Sequence, residues 1–420
     1  MKKRILSILL AALMLLTLLP VTALADETGH PVSGHTGWAK ISDESGLKAL
    51  FAAGGSGYLA DNITLTEEGG LSVAANVNLC LNGKVLNLNG KGNITVNKNK
   101  TFNLYDCDNT TVHKFGDADG LWTWDDTLVG EYIKHTVTGG LITGNTTTYG
   151  GVSVSGSFTM NGGSISGNTV KNMDGIIGCS GGGVSVGKLS SFTMTGGSIT
   201  GNTVIGDLDA TGGGVIILAS SFTMTGGSIT GNTAPYCGGV AVDNNSNTSF
   251  KLGGKVIISG NKTIDGKAGD IFLVGSSKIT LATGTDAFAP KGRMGVTVAK
   301  RNEDNSYTST TGPFTTNGTA DDAKYFTADD NAYKVAYNDE GYLELVEKTE
   351  DEGGCALLRL LRVALVTKLT VCTLVCGVTS FVRLTARIAA AENAYIGAAT
   401  RAMWAAAHMA WLANAWHLWH

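Results

Sequence analysis

Between Asn62 and Leu281, apolar residues alternate with small polar ones in runs of about three to five residues, and each run stops at Gly, Asn or Ser. Phe-Thr-Met, Ser-Ile-Thr and Val-Ser-Val are typical. Alternation at period two marks a strand with one buried face, and no helical period interrupts it over this span. The runs also repeat in a fixed order. VTGGLITGNT begins at Val137, FTMNGGSISGNT at Phe158, an unchanged FTMTGGSITGNT at both Phe192 and Phe222, and FKLGGKVIISGNKT at Phe250. The Gly-Asn step puts Asn145, Asn168, Asn202, Asn232 and Asn261 at intervals of 23, 34, 30 and 29 residues. Between these steps come YGGVSV, GGGVSV, GGGVII and CGGVAV, from Tyr149, Gly181, Gly212 and Cys237.

A repeat of about 20 to 50 residues marks a solenoid, propeller or array. Three short strands in about 30 residues are too few for a propeller blade. They fit one coil of an all-β parallel β-helix, in which an uneven coil loops out at a turn without breaking the stack. Alternation predicts Phe192, Met194, Ile199, Val184 and Val186 inside, with Thr193, Ser198, Thr200 and Ser185 outside. It predicts an internal stack of Phe158, Phe192, Phe222 and Phe250. The five asparagines form a ladder of side-chain amides at a bend that the adjacent glycines permit, with a ligand-binding row as the alternative. Outward Thr159, Thr193 and Thr223 form a short hydroxylated strip, interrupted by Lys251.

Residues Gly57 to Cys107 alternate in the same way and read as two or three less regular coils. Ahead of them, SDESGLKALFAAGG offers Ser42 or Asp43 as an N-cap, apolar Leu47, Leu50 and Phe51, and Gly54 as a stop. This predicts a short helix that closes the open end of the solenoid. Residues 285–348 lose the repeat. There Tyr333, Val335 and Tyr337 oppose Leu343 and Leu345 across a turn at Asn338 to Gly341, a hairpin that caps the other end. The predicted organisation is a leader (1–25), an N-terminal segment with the helix (26–56), the β-helix (57–284), a β cap (285–348) and a helical or disordered tail (349–420).

The succession of helix, ITL, NLCLNGKVLNLNG, GNITV, NLYDCD, repeated GGSITGNT with GGGVSV, and YFTADDNAYKVAYNDEG resembles the right-handed parallel β-helix, pectate-lyase-like surface proteins of gut Firmicutes. The GGGV and FTM elements are loosely similar to those of chlamydial polymorphic outer-membrane adhesins. The resemblance covers about residues 36–348. It implies the fold and says little of activity, because the same fold serves lyases, hydrolases, tailspikes and adhesins.

Lys2, Lys3 and Arg4, an apolar run from Ile5 to Leu19, and small Ala23 and Ala25 read as a secretory signal peptide cleaved before Asp26. The protein is therefore expected to be secreted or on the cell surface of a bacterium, as a monomeric solenoid. A net charge of −4 offers no basic surface for nucleic acid. After Gly354 the composition changes to an apolar, Ala- and Trp-rich tail. Residues 363–382 are long enough to span a bilayer and are followed by Arg383, Arg387 and Arg401. Arg359, Arg362 and Lys368 weigh against an anchor, so a membrane anchor, a frame-shifted non-native tail and a soluble helical hairpin stand as alternatives.

β-Helix lyases and hydrolases place carboxylates with Lys, Arg or His on adjacent coils. The clear repeats, 136–263, hold only Asp174, Asp207, Asp209 and Asp243, all in irregular loops, and no Glu, Arg or His. Gly-His-Gly and Arg-Ile-Lys elements of the polygalacturonase kind are absent. Acidic residues cluster instead in the insertion from Asp106 to His135, at Asp106, Asp108, Asp117, Asp119, Asp125 and Asp126, with His113, Lys114 and His135. Trp122 and Trp124 add faces of the kind that stack on sugars. Trp122, Trp124, Asp125 and Asp126 are the candidate binding residues, with calcium as the candidate ion and polysaccharide or a host surface as the candidate partner. The bland alternative is a solvated loop whose tryptophans pack on the solenoid. Cys80 and Cys107, about one coil apart, are a candidate disulfide pair, with small turn residues as the alternative. Cys179 and Cys237 stand about 10 Å apart by strand spacing, too far to pair. The leading function is adhesion to glycan or host surface; a polysaccharide lyase or hydrolase using the 106–135 loop and a structural spacer are the alternatives.

Overall fold

In the computed structural model, residues 35–171, 181–206, 212–304 and 306–349 are described. The leader, Asp174, Cys179, Asp207, Asp209 and the tail with its 363–382 run lie outside them. The described chain winds as a parallel β-helix. One coil passes through Ser191–Met194, Ser198–Thr200, Thr203–Ile205 and Val215–Ile217 before Ser221–Met224 opens the next. Equivalent strands stack into a ten-stranded sheet of Phe-Thr-Met strands, a seven-stranded sheet of Ser-Ile-Thr strands and a ten-stranded sheet containing the Val-Ser-Val strands. The alternation predicts these three. It does not reveal a fourth, four-stranded sheet formed just after the asparagines, whose Val170, Val204 and Ala234 make a small core of their own.

Register holds from coil to coil through the clear repeats: Phe158, Phe192 and Phe222 pair in line, as do Ile165, Ile199 and Ile229. The inward residues therefore form columns. The rings of Phe158, Phe192, Phe222 and Phe250 stack at centroid distances of 5.0, 4.7 and 5.4 Å. Phe102 extends the column at 5.3 Å, and Phe51 of helix α1 (Glu44–Ala53) closes it at 5.5 Å with its ring tilted. The helix forms as the sequence predicts. The Asp43 side chain accepts from the Gly46 N–H, Gly54 takes φ 84° at the C-terminus, and Leu47, Leu50 and Phe51 are buried over the first coils.

At the far end the parallel pairing continues past residue 284. Ile271 pairs with Val296, Met294 with Phe326 and Ile279 with Thr315. The stack thus extends into the segment predicted as a separate cap. The antiparallel hairpin Tyr333–Tyr337 with Leu343–Glu347 then covers it, burying Leu343 and Leu345.

The five asparagines are all buried, and their hydrogen bonds run one way. The Asn202 backbone N–H and side-chain Nδ2 both donate to Asn232 Oδ1, at 3.0 and 2.9 Å. Asn168 donates likewise to Asn202, and Asn232 to Asn261. The other Nδ2 hydrogen goes to the backbone, as from Asn232 to Ile199 O at 2.9 Å. The Oδ1 atoms of Asn168, Asn202, Asn232 and Asn261 each serve the coil before, while that of Asn145, at the start of the row, takes the Thr147 hydroxyl at 2.8 Å; the last amide therefore needs an acceptor with no donor of its own. Asp270 meets that need, taking Asn261 N and Nδ2 on Oδ1 at 3.0 and 2.9 Å and Gly295 N on Oδ2 at 3.0 Å.

The GGGV element is the ladder's counterpart. A Cβ on Gly183, Gly214 or Gly239 would stand 3.1 Å from the Nδ2 of Asn202, Asn232 or Asn261 and closer still to neighbouring atoms, down to 2.0 Å from Asp270 O at Gly239. Close approach, not an unusual dihedral, therefore fixes these glycines.

Beyond Asp270 lies Asp329, held by Thr297 Oγ1 on Oδ2 at 3.1 Å, while its buried Oδ1 has no hydrogen-bond partner. Burial, and then the charge of Asp270, raise its pKa to about 7, and burial also raises that of Asp270.

Removing a rung orphans donors on the preceding coil. Asn232→Ala leaves Asn202 N and Nδ2 without an acceptor, so we expect about 2–5 kcal/mol lower stability by chemical denaturation. A carboxyl with a raised folded pKa is favourable below its unfolded pKa of about 4, and that contribution is lost as pH rises through about 7. Asp329→Asn is accordingly expected to gain on the order of 1–3 kcal/mol over the parent between pH 5 and pH 8. Denaturation midpoints at the two pH values check this, and a pH-independent difference contradicts it.

Candidate functional site

The insertion after Thr101–Tyr105 folds as a three-stranded antiparallel sheet of Val112–Ala118, Leu121–Trp124 and His135–Thr138. Asp119 and Gly120 take φ of 56° and 78° between Ala118 and Leu121, which pair, as a tight two-residue hairpin requires. The insertion lies against the outer face of the Ser-Ile-Thr sheet. Outward Val85 and Leu141 form a buried cluster with Phe115 and Val137, with Trp122 and Trp124 packed on it. This cover explains why outward Thr143, Ser164, Ser166 and Thr200 are buried where simple alternation predicts exposure for Thr200.

Trp122 is half-buried. One face stacks on His135 at 3.9 Å, and its ring lies so close to Gly201 that a Cβ there would come within 2.2 Å. The nearest face is thus already taken by the protein. Trp124 is also half-buried, with its buried Nε1–H lacking a partner.

Asp126 reaches inward. Its Oδ2 is 2.8 Å from Nδ1 of buried His113, its Oδ1 accepts the Lys114 N–H at 2.8 Å, and His113 Nε2 lies 3.2 Å from Gly83 O. Asp125 points elsewhere. Its Oδ1 accepts the Thr127 hydroxyl and backbone N–H, at 2.6 and 2.9 Å, and these bonds hold its carboxyl below the ordinary range. Asp106, Asp108 and Asp117 are similarly engaged. Asp106 links coils by accepting Gly83 N on Oδ1 and Gly140 N on Oδ2, and burial raises its pKa. Asp108 accepts from Thr110 and Thr111, bonds that lower its pKa, and Asp117 accepts from Gly120 and lies 3.4 Å from His135. The acidic cluster seen in the sequence is thus divided into separate loop and coil staples.

The outer face of the Phe-Thr-Met sheet carries a different array. Asn78, Asn103, Thr159, Thr193 and Thr223 stand in strict register, continued by Lys251 and Thr280. All but exposed Lys251 are half-buried, and Asn103 Nδ2 donates to Asn78 Oδ1 at 2.8 Å. The sequence-predicted strip is therefore longer at both ends. At the Thr280 end lies a shallow pocket of about 230 Å³ lined by Asn245, Ser246, Ser277, Lys278 and Thr316, among others. Cys80 and Cys107 are free thiols whose Sγ atoms lie 3.5 Å apart. Buried Cys237 donates to Gly269 O. Among the described residues no helix is long and apolar enough to cross a membrane.

Asp270 is the residue that sequence reasoning misses. The signal is that GDI occupies the place of GGV in the coil after Asn261, since Ile271 pairs with Val240.

Gly201→Ala drives a Cβ into Trp122, whereas Gly260→Ala has a similar φ of 69° and nothing within 4 Å. We expect Gly201→Ala to cost about 1–3 kcal/mol more than Gly260→Ala and to shift tryptophan emission, which Gly260→Ala leaves unchanged. Equal costs and unchanged emission in both count against the packing described.

No family model, curated protein or solved structure matches this chain.

Proposed function

We propose that this chain is a secreted or surface-attached bacterial binding protein. It adheres to glycan or host surface through the outer face of the Phe-Thr-Met sheet. One observation carries this reading: the in-register row of neutral amides and hydroxyls from Asn78 to Thr280, broken only by Lys251. Strand stacking repeats its donors and acceptors about every 4.8 Å. Such an array suits an extended polar partner that makes many weak contacts, whose sum exceeds any one of them.

The alternative, a lyase or hydrolase acting through the 106–135 insertion, has weaker support. Two acid-base groups must face a common substrate atom. Here Asp125 and Asp126 bond to different neighbours, and His113 is buried.

The purified chain is tested against a polysaccharide panel for binding, reducing ends and unsaturated products. We expect binding without new product, weakened about tenfold or more when Thr193→Glu and Thr223→Glu are combined, because two unpaired charges then meet a polar neutral partner. Turnover that Asp125→Ala abolishes overturns this reading in favour of the enzyme, and an absence of binding favours a spacer.

A further inference from the structure

At the start of the described chain, three segments distant in sequence converge beside the first coils. Cys80 is buried at the end of Val77–Cys80, in register with Tyr58 and Tyr105. Cys107 follows the next strand of the same sheet and is exposed. His35 comes from the N-terminal segment, its ring stacked on Tyr58 at 4.0 Å and 11°, with Trp38 beside it. Cys107 Sγ lies 3.5 Å from Cys80 Sγ and 3.5 Å from His35 Nε2, and all three ligand atoms fall within 4.8 Å of one another.

These separations have a chemical meaning. A tetrahedral ion with metal–sulfur bonds of about 2.3 Å and a metal–nitrogen bond of about 2.0 Å holds two sulfurs about 3.8 Å apart and sulfur and nitrogen about 3.5 Å apart. Two thiolates with one imidazole select a borderline-soft ion over calcium or magnesium, which take oxygen ligands. The fourth position has Asn82 Oδ1 at hand, 3.4 Å from Cys107 Sγ, and solvent reaches it past exposed Cys107. The aromatic stack on Tyr58 orients the imidazole as an outer shell does at a metal site.

We propose that His35, Cys80 and Cys107 form a zinc site that fastens the N-terminal segment to the second and third coils. The two thiols lose their protons to solvent on binding, and no oxidant is involved. The rival chemistry for the same sulfurs is a disulfide, which excludes the ion.

The test uses the full chain, purified under reducing, metal-free conditions and titrated with Co²⁺ and then Zn²⁺. A thiolate-to-cobalt charge-transfer band is expected, with a tetrahedral pattern in the visible and displacement by Zn²⁺. Cys107→Ser is expected to lose one bound equivalent. His35→Gln weakens Co²⁺ binding at least about tenfold, since even outer-shell changes cost that much. Cys372→Ser, which changes none of the three ligands, leaves this equivalent in place. A band that His35→Gln does not affect, no equivalent lost in Cys107→Ser, or chain from culture medium carrying a Cys80–Cys107 disulfide and no metal each overturns the proposal.

Discussion

The structure depends on a one-way row of buried amides. Turning a parallel chain through a tight corner at every coil strands backbone groups inside the protein, where each unmet donor costs about 1–3 kcal/mol. Asparagine meets this need because one side chain both accepts and donates. Its Oδ1 takes two hydrogens from the coil before, and its Nδ2 passes hydrogens to the next amide and to an isoleucine carbonyl. Once that geometry is set, other positions lose their freedom. The residues facing the amides must be glycine, and the row must end on a group that only accepts, which Asp270 provides. The phenylalanine column is then the apolar complement of the same register.

The cost of this order appears at its end. Burial of Asp329, with the charge of Asp270 adding to it, raises its pKa and so favours a proton there. The ladder therefore gives the C-terminal end of the solenoid a sensitivity to pH that its middle, built from neutral amides, does not share.

In the insertion, residue types suggestive of chemistry also serve architecture. Its acids, histidines and tryptophans are the residue types of a carbohydrate site. In the fold, Asp126 braces His113, Asp125 closes a turn, and Trp122 fills the space left by glycine at a corner of the coil. The plain outer wall of threonine and asparagine is the longer polar array, built from single residues set in line by the register of the strands.

Periodicity alone determined the solenoid, the inward phenylalanines and the capping helix, because those depend on local alternation and on capping chemistry within a few residues. The five asparagines were legible for the same reason: they recur at one offset within each repeat. What the sequence could not supply is the company each residue keeps across coils. The fourth sheet, the burial of Thr200, the termination of the ladder by Asp270 and the meeting of His35 with Cys80 and Cys107 all join positions whose separation along the chain varies with loop length. Only stacking at fixed strand spacing converts those irregular separations into contact, and so only the tertiary structure decided them.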